Sequence, residues 1–204
     1  DRKLIEGKFP GLAFRYPFIL GHESIGKVIE VGDGVINYNK GDYVFRPSAV
    51  YPKDFVGGLA SFWGGFAELG VVCDYAAQSR EKPHTAPLST FHSMQQVLPK
   101  DVDPVKATVY ITLKETLSWL RKVRLAPGES VLVMGSGPVG LAFAYCAKLL
   151  GAYPVIMTGR RDERLSLATE FGVDYTINIT KENLVQKVRE FTKGRGADLA
   201  IEAV

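Results

Sequence analysis

Between residues 135 and 140 the chain reads Gly135-Ser136-Gly137-Pro138-Val139-Gly140, three glycines at G-x-G-x-x-G spacing. An apolar run at 130–134 precedes them and a helical period at 138–150 follows, so the glycines occupy a strand-to-helix turn. In such a turn the first glycine permits the tight bend, the second lets backbone approach a pyrophosphate, and the third allows the helix to pack close to the strand. The first helical turn then offers unpaired N–H groups and a partial positive charge to phosphate. Residues 135–140 are therefore expected to bind a dinucleotide. The bland alternative is a glycine-rich turn with no ligand, and the flanking strand and helix weigh against it.

The rest of the second half repeats the alternation. Strands are expected at 155–158, 175–179 and 197–204, with helices at 162–171 and after Thr180, which can cap the third. The first helix has an apolar face of Val139, Phe143, Cys146, Ala147 and Leu150, and the third has Leu184, Val185, Val188 and Phe191. Strands alternating with helices imply a parallel, doubly wound sheet. The first hundred residues differ, being rich in glycine and aromatics. Short strands are expected there at 27–31, 43–45 and 69–72, separated by Gly32-Asp33-Gly34 and Asn39-Lys40-Gly41-Asp42. A helix at 103–124 links the halves. The fold class is thus α/β plus β, with domains at 1–124 and 125–204.

The end of the second strand bears on the cofactor. NAD-binding turns carry an acidic residue there, roughly 20 residues past the glycines, to hold the ribose 2′-hydroxyl. This chain has Thr158-Gly159-Arg160-Arg161. Without the carboxylate there is no repulsion against a 2′-phosphate, and a guanidinium can hold that phosphate through paired hydrogen bonds. NADP(H) is expected over NAD(H), with Gly159, Arg160 and Arg161 at the site and Arg160 the first contact. The alternative is that both arginines are solvated residues opening the helix, or pair with Asp162 or Glu163.

Composition excludes other classes. The formal net charge is +3 and the basic residues are scattered, so no concentrated face exists for nucleic acid. Cys73 and Cys146 are the only cysteines and lack ligand spacing, which fits a reducing cytoplasmic setting without disulfides. No apolar signal follows Asp1-Arg2-Lys3, and glycines, Pro138, Lys148 and Pro154 break the most apolar stretch, so no membrane span is expected. The chain stops at Ala203-Val204 inside an expected strand, and it reads as an internal piece of a longer protein.

Near the start stands Gly21-His22-Glu23, which alone means little, since a single histidine is more often structural than a ligand. In combination, GHESIGKVIEVGDGV, KGDYV, WGGFAE and PGESVLVMGSGPVG, in that order, resemble the medium-chain dehydrogenase/reductase superfamily in its zinc alcohol-dehydrogenase branch. The likeness runs along essentially the whole chain. It implies a partial GroES-like β-rich catalytic domain followed by the first half of a Rossmann domain. It also implies hydride transfer between a nicotinamide cofactor and an alcohol, polyol or its carbonyl. His22 takes the place of a catalytic zinc ligand and Glu23 of a residue beside the metal that can ligate it. Relatives pair as homodimers or homotetramers and act on small molecules.

This chain departs from the pattern in three places. The lobe at 44–64 has no cysteine, so one catalytic zinc is expected and no structural zinc. The family's further ligand falls near residues 110–112, where none stands; Glu115 is one turn away and is otherwise a solvated helix residue. Lys3 stands where relatives often carry a relay histidine, and the first zinc-ligand cysteine would lie just before Asp1. These departures keep two alternatives open: a zinc-independent quinone or enone reductase of the same superfamily, and a non-catalytic nucleotide-binding protein. His84 and His92 read as loop residues, Cys146 as core, and Cys73-Asp74 as lacking a paired ligand. Trp63 and Phe66 could line a pocket or pack a core, and Thr112 and Thr116 lie where relatives contact the nicotinamide.

Overall fold

The computed structural model describes residues 2–8, 16–50, 57–61, 63–74, 77 and 94–204, with backbone alone for Arg2 and Lys3. Asp1, Phe62, His84, His92 and the Lys3 side chain therefore lie outside the described residues. The chain divides into two compact units, Asp1–Ile111 and Thr112–Val204.

In the second unit, β5 (Val131–Met134), β6 (Val155–Gly159), β7 (Tyr175–Asn178) and β8 (Leu199–Glu202) form one sheet in the order β7-β6-β5-β8. Every pairing is parallel, with Val131 opposite both Val155 and Leu199, and Ile156 opposite Tyr175. Alternation along the strands sends side chains to two faces. Val131, Val133, Val155, Met157 and Ile201 pack with α4 (Pro138–Leu149), α5 (Asp162–Glu170) and the end of α3 (Val109–Lys122). Leu132, Ile156 and Ile177 face the other way, onto Leu184, Val188 and Phe191 of α6 (Leu184–Phe191). Helices thus cover both faces, the doubly wound arrangement expected. Each fully buried Val, Ile, Leu or Met contributes about 1.5–3 kcal/mol.

Several expectations shift. Val139 is 46% exposed, and the inward face of α4 runs through Gly140, Ala144 and Ala147. The smallest residues go nearest the sheet because they let helix and strand approach most closely. Asn183, not Thr180, caps α6: its side chain accepts from the Gln186 amide at 3.0 Å, while the Thr180 hydroxyl is turned to Asn178 at 2.7 Å. The linking helix is two helices, α2 (Pro104–Ala107), capped by Asp103, and α3. Ile111 belongs to the first core, while Leu113, Leu117 and Leu120 belong to the second. The two compact units thus meet within α3.

The first unit holds α1 (Arg2–Ile5), the short parallel pair β1 (Phe18–Ile19) and β4 (Ala60–Ser61), and the antiparallel pair β2 (Ile25–Lys27) and β3 (Tyr43–Phe45). The strand expected at 27–31 lies earlier because Val28 already exchanges hydrogen bonds with the Asn39–Asp42 turn. At 69–72 only Val71 pairs, bridging to Ser48. Phe45, Leu98, Ala107 and Ile111 form the core. No described helix is long and apolar enough to cross a membrane.

Candidate functional site

The glycine turn sits at the carboxyl ends of the parallel strands. Gly135 has φ +121°, and its amide donates to the Thr158 carbonyl at 3.1 Å. A side chain there would meet the Ala203 carbonyl oxygen at 2.6 Å, so the bend is wedged against the end of β8. A Cβ on Gly140 would strike the Gly135 carbonyl oxygen, so the first turn of α4 lies directly on the bend. Gly137, by contrast, faces open space, and as N-cap of α4 it leaves the helix amides without a side-chain cap. With Pro138 opening the helix, those amides remain available to an anion. Ser136 leans on Gly159, its hydroxyl 2.6 Å from where a Cβ would stand. The structure thus brings Gly135, Ser136, Gly137, Pro138, Val139 and Gly140 to the end of β6.

Arg160 and Arg161 follow, both exposed, and neither side chain has a hydrogen bond or ion pair among the described residues. The alternative in which Asp162 ties one of them up is not what the structure holds. Asp162 accepts from Asn178 Nδ2 at 2.6 Å and from Lys181 Nζ at 2.5 Å. The Lys181 and Asn178 bonds also keep its carboxyl below the ordinary range.

In the first unit, His22 Nε2 and Glu23 Oε1 lie 3.0 Å apart, with 36% and 45% of the side chains exposed. Backbone positions them. The Gly21 carbonyl accepts from Gly64 at 3.1 Å and Gly65 at 3.0 Å, and the Leu20 carbonyl from Phe66 at 3.1 Å. Motifs more than forty residues apart in the chain, around Gly21 and Gly64, are therefore one loop cluster. Trp63 is buried within it, while Phe66 is 77% exposed. Arg46, not singled out in the sequence, is also buried, with Nε donating to the His22 carbonyl at 3.1 Å. Nothing in Phe45-Arg46-Pro47 marks it, because a buried cation is recognisable only from its neighbours.

The donor types of His22 and Glu23 suit zinc as two of its protein ligands. Among the described residues no group of three or more His, Cys, Asp or Glu could hold a metal. Glu115 is exposed on α3. Thr116 is a core residue, its hydroxyl bonded to the Thr112 and Leu113 carbonyls and 3.4 Å from Cys146 Sγ. Burial pushes the Cys146 thiol up, against its hydrogen bond with Thr116, and the side chain packs in the core. Asp74 is a structural anchor, bonded to the amides of Ile36, Asn37 and Ala77. A cavity of about 680 Å³ runs along 24–32 and 64–72 and is lined by none of the candidate residues.

Two family descriptions match the chain: an alcohol dehydrogenase GroES-like domain over residues 1–83 and a zinc-binding dehydrogenase over residues 138–204. The chain is 33% identical over 196 residues to the L-threonine 3-dehydrogenase of Pyrococcus furiosus, covering 92% of this chain and 53% of that protein. It is 32% identical to the sorbitol dehydrogenase of Halalkalibacterium halodurans, covering 99% and 57%. Among solved structures, an alcohol dehydrogenase from Thermus sp. ATN1 superposes with a TM-score of 0.66 at 30% identity, covering 100% of this chain and 60% of that one. The chain thus spans little more than half the length of these curated relatives.

Proposed function

Because the chain belongs to the zinc-type alcohol dehydrogenase branch of the medium-chain dehydrogenase/reductase superfamily, we propose that it is part of an oxidoreductase using NADP(H). Its reaction moves hydride between the nicotinamide and a small alcohol or polyol, or the matching carbonyl. Relatives named for threonine and sorbitol support a small hydroxylated substrate. One observation carries the cofactor preference: two guanidinium groups without a partner among the described residues follow Gly159, at the end of β6 against which the glycine turn is folded. Phosphate oxygens suit such groups because a planar fork of N–H donors meets them two at a time.

In this reading Gly137 and the amides opening α4 hold the pyrophosphate, and Arg160 and Arg161 hold the 2′-phosphate. His22 and Glu23 would serve as two ligands of one zinc, with the remaining ligands outside the described residues. When bound, that zinc supplies a Lewis acid that polarises the carbonyl or acidifies the alcohol. The chain's own part is to orient cofactor and substrate.

Calorimetric titration of the full-length protein with NADPH and NADH tests the preference. NADPH should bind at least tenfold more tightly, about 1.4 kcal/mol, and Arg160→Ala with Arg161→Ala should erase that difference. Equal affinities in the wild type would make the arginines ordinary solvated residues. A zinc-independent reductase is the second reading, favoured by the two-donor count among the described residues. One zinc per subunit by metal analysis would dispose of it.

A further inference from the structure

We propose that Arg46 is a positioning residue for His22, setting the peptide that carries the imidazole through the hydrogen bond from its Nε. The inference rests on the reading of His22 as a metal ligand.

Arg46 is 5% exposed, an unusual place for a cation, and its backbone has φ +53°. Left-handed backbone is costly for a residue with a Cβ and persists where the surroundings over-determine it, which is common around functional sites. Here its contacts do so, with Nη1 lying 3.8 Å from Met94 Sδ. The Arg46 amide donates to the Ser24 carbonyl at 2.8 Å, and the Arg46 carbonyl accepts from Gln95 Nε2 at 2.9 Å. The guanidinium lies 5.2 Å from the Trp63 ring centroid, and Nε reaches the His22 carbonyl at 3.1 Å. Arg46 therefore grips the His22-Glu23-Ser24 segment from two sides, by main chain at Ser24 and by side chain at His22. Trp63 belongs to the segment whose glycines bond to Gly21, so the same side chain also packs on the other support of that loop. A metal-ligating histidine needs its ring direction held, and groups that hold ligands commonly change metal affinity 10–100-fold when removed.

Two variants separate the hydrogen bond from the charge. Arg46→Met puts a methyl carbon where Nε stood, and Arg46→Gln puts an amide nitrogen at the same point along the side chain. Both lose the guanidinium; only glutamine keeps a donor for the His22 carbonyl. In the full-length protein, zinc release to a colorimetric chelator should be at least tenfold faster for Arg46→Met and within about threefold of wild type for Arg46→Gln. The visible absorption of the cobalt-substituted protein should shift for Met and return with Gln. Thermal melting of the metal-free forms checks that each variant is folded. Equal release from both variants, or wild-type release from Arg46→Met, would overturn the proposal. Loss of zinc from a folded Arg46→Gln would do so alone, even where Arg46→Met fails to fold. If the wild type retains zinc no better than His22→Ala, the metal reading fails and the role of Arg46 falls with it.

Discussion

Asp74 and Arg160 are both charged residues that follow apolar runs, and the fold treats them oppositely. Asp74 is 6% exposed and collects the amides of Ile36, Asn37 and Ala77 with the side-chain amide of Asn37, while Arg160 is left to solvent with no partner among the described residues. Burial alone would raise the Asp74 carboxyl; the donors outweigh it and bring it to about 2. A folded value below the unfolded one means that the stabilisation is complete above the unfolded value near 3.9. It is lost as pH falls from there toward 2, and it amounts to roughly 2 kcal/mol. Asp74→Asn should cost about 1–3 kcal/mol at pH 7, since an NH₂ group would confront backbone donors. It should also remove the share of the acid dependence that Asp74 contributes, leaving the share of other lowered carboxylates such as Asp162 and Asp198. Urea unfolding at pH 7, 4 and 2.5 measures both, and an acid dependence unchanged in Asp74→Asn would defeat the assignment. At this scale the sequence shows which chemistry each residue carries and not which partner it finds. Cys73-Asp74 read as lacking a paired metal ligand, and its Asp74 is an anchor for a loop nearly forty residues upstream. Arg46, with no motif to mark it, acquires a place only when Trp63 and His22 come together.

Elements were more legible where hydrophobic period and turn chemistry agreed. In the second unit strand and helix periods alternate, each segment is long enough to register, and the four-stranded parallel sheet follows. The first unit has strands of two or three residues, too short for a period, and their ends are set by turns and pairing partners far along the chain. The bend at 135–140 was legible for a physical reason: helix α4 can start there only if no side chain intervenes. Gly140→Ala tests that reason. The added methyl would press on the Gly135 carbonyl, a backbone atom that cannot move without shifting the bend out from Thr158 and Ala203. Overpacking of this kind costs about 1–3 kcal/mol, and the same shift would misplace the amides of α4. Guanidinium unfolding should show the loss of stability, and calorimetry a loss of NADPH affinity of at least tenfold, about 1.4 kcal/mol. Retention of both would mean that the bend has slack and that Gly140 is not what sets it. Serine and glycine at 136 and 159 belong to the same packing problem, because Ser136 fills the space a larger residue at 159 would need.

Across the whole chain, the two chemistries are carried by units with separate cores. His22 and Glu23 stand on one loop, tied to residues 64–66 of the first unit, and the glycine turn and its arginines stand on the sheet of the second. The residues proposed for the metal are held by hydrogen bonds within the first unit, and those proposed for the dinucleotide by hydrogen bonds within the second. Sites without shared partners behave additively within about 0.3–0.5 kcal/mol, which corresponds to about a twofold change in affinity. Stripping zinc from the full-length protein with a chelator should therefore abolish alcohol oxidation yet leave NADPH affinity within about twofold. Arg160→Ala should likewise weaken NADPH without altering zinc content. The measurement is a pair of NADPH titrations, before and after chelation, with activity assayed on the same samples and restored by added zinc. A tenfold fall in NADPH affinity on chelation would mean that the metal organises the cofactor site as well. Turnover that survives complete removal of zinc would leave hydride transfer to the cofactor and the protein's own polar groups, as in a zinc-independent reductase. In that case the His22-Glu23 pair would be one more tie in the loop cluster that Gly21, Gly64 and Gly65 already hold together.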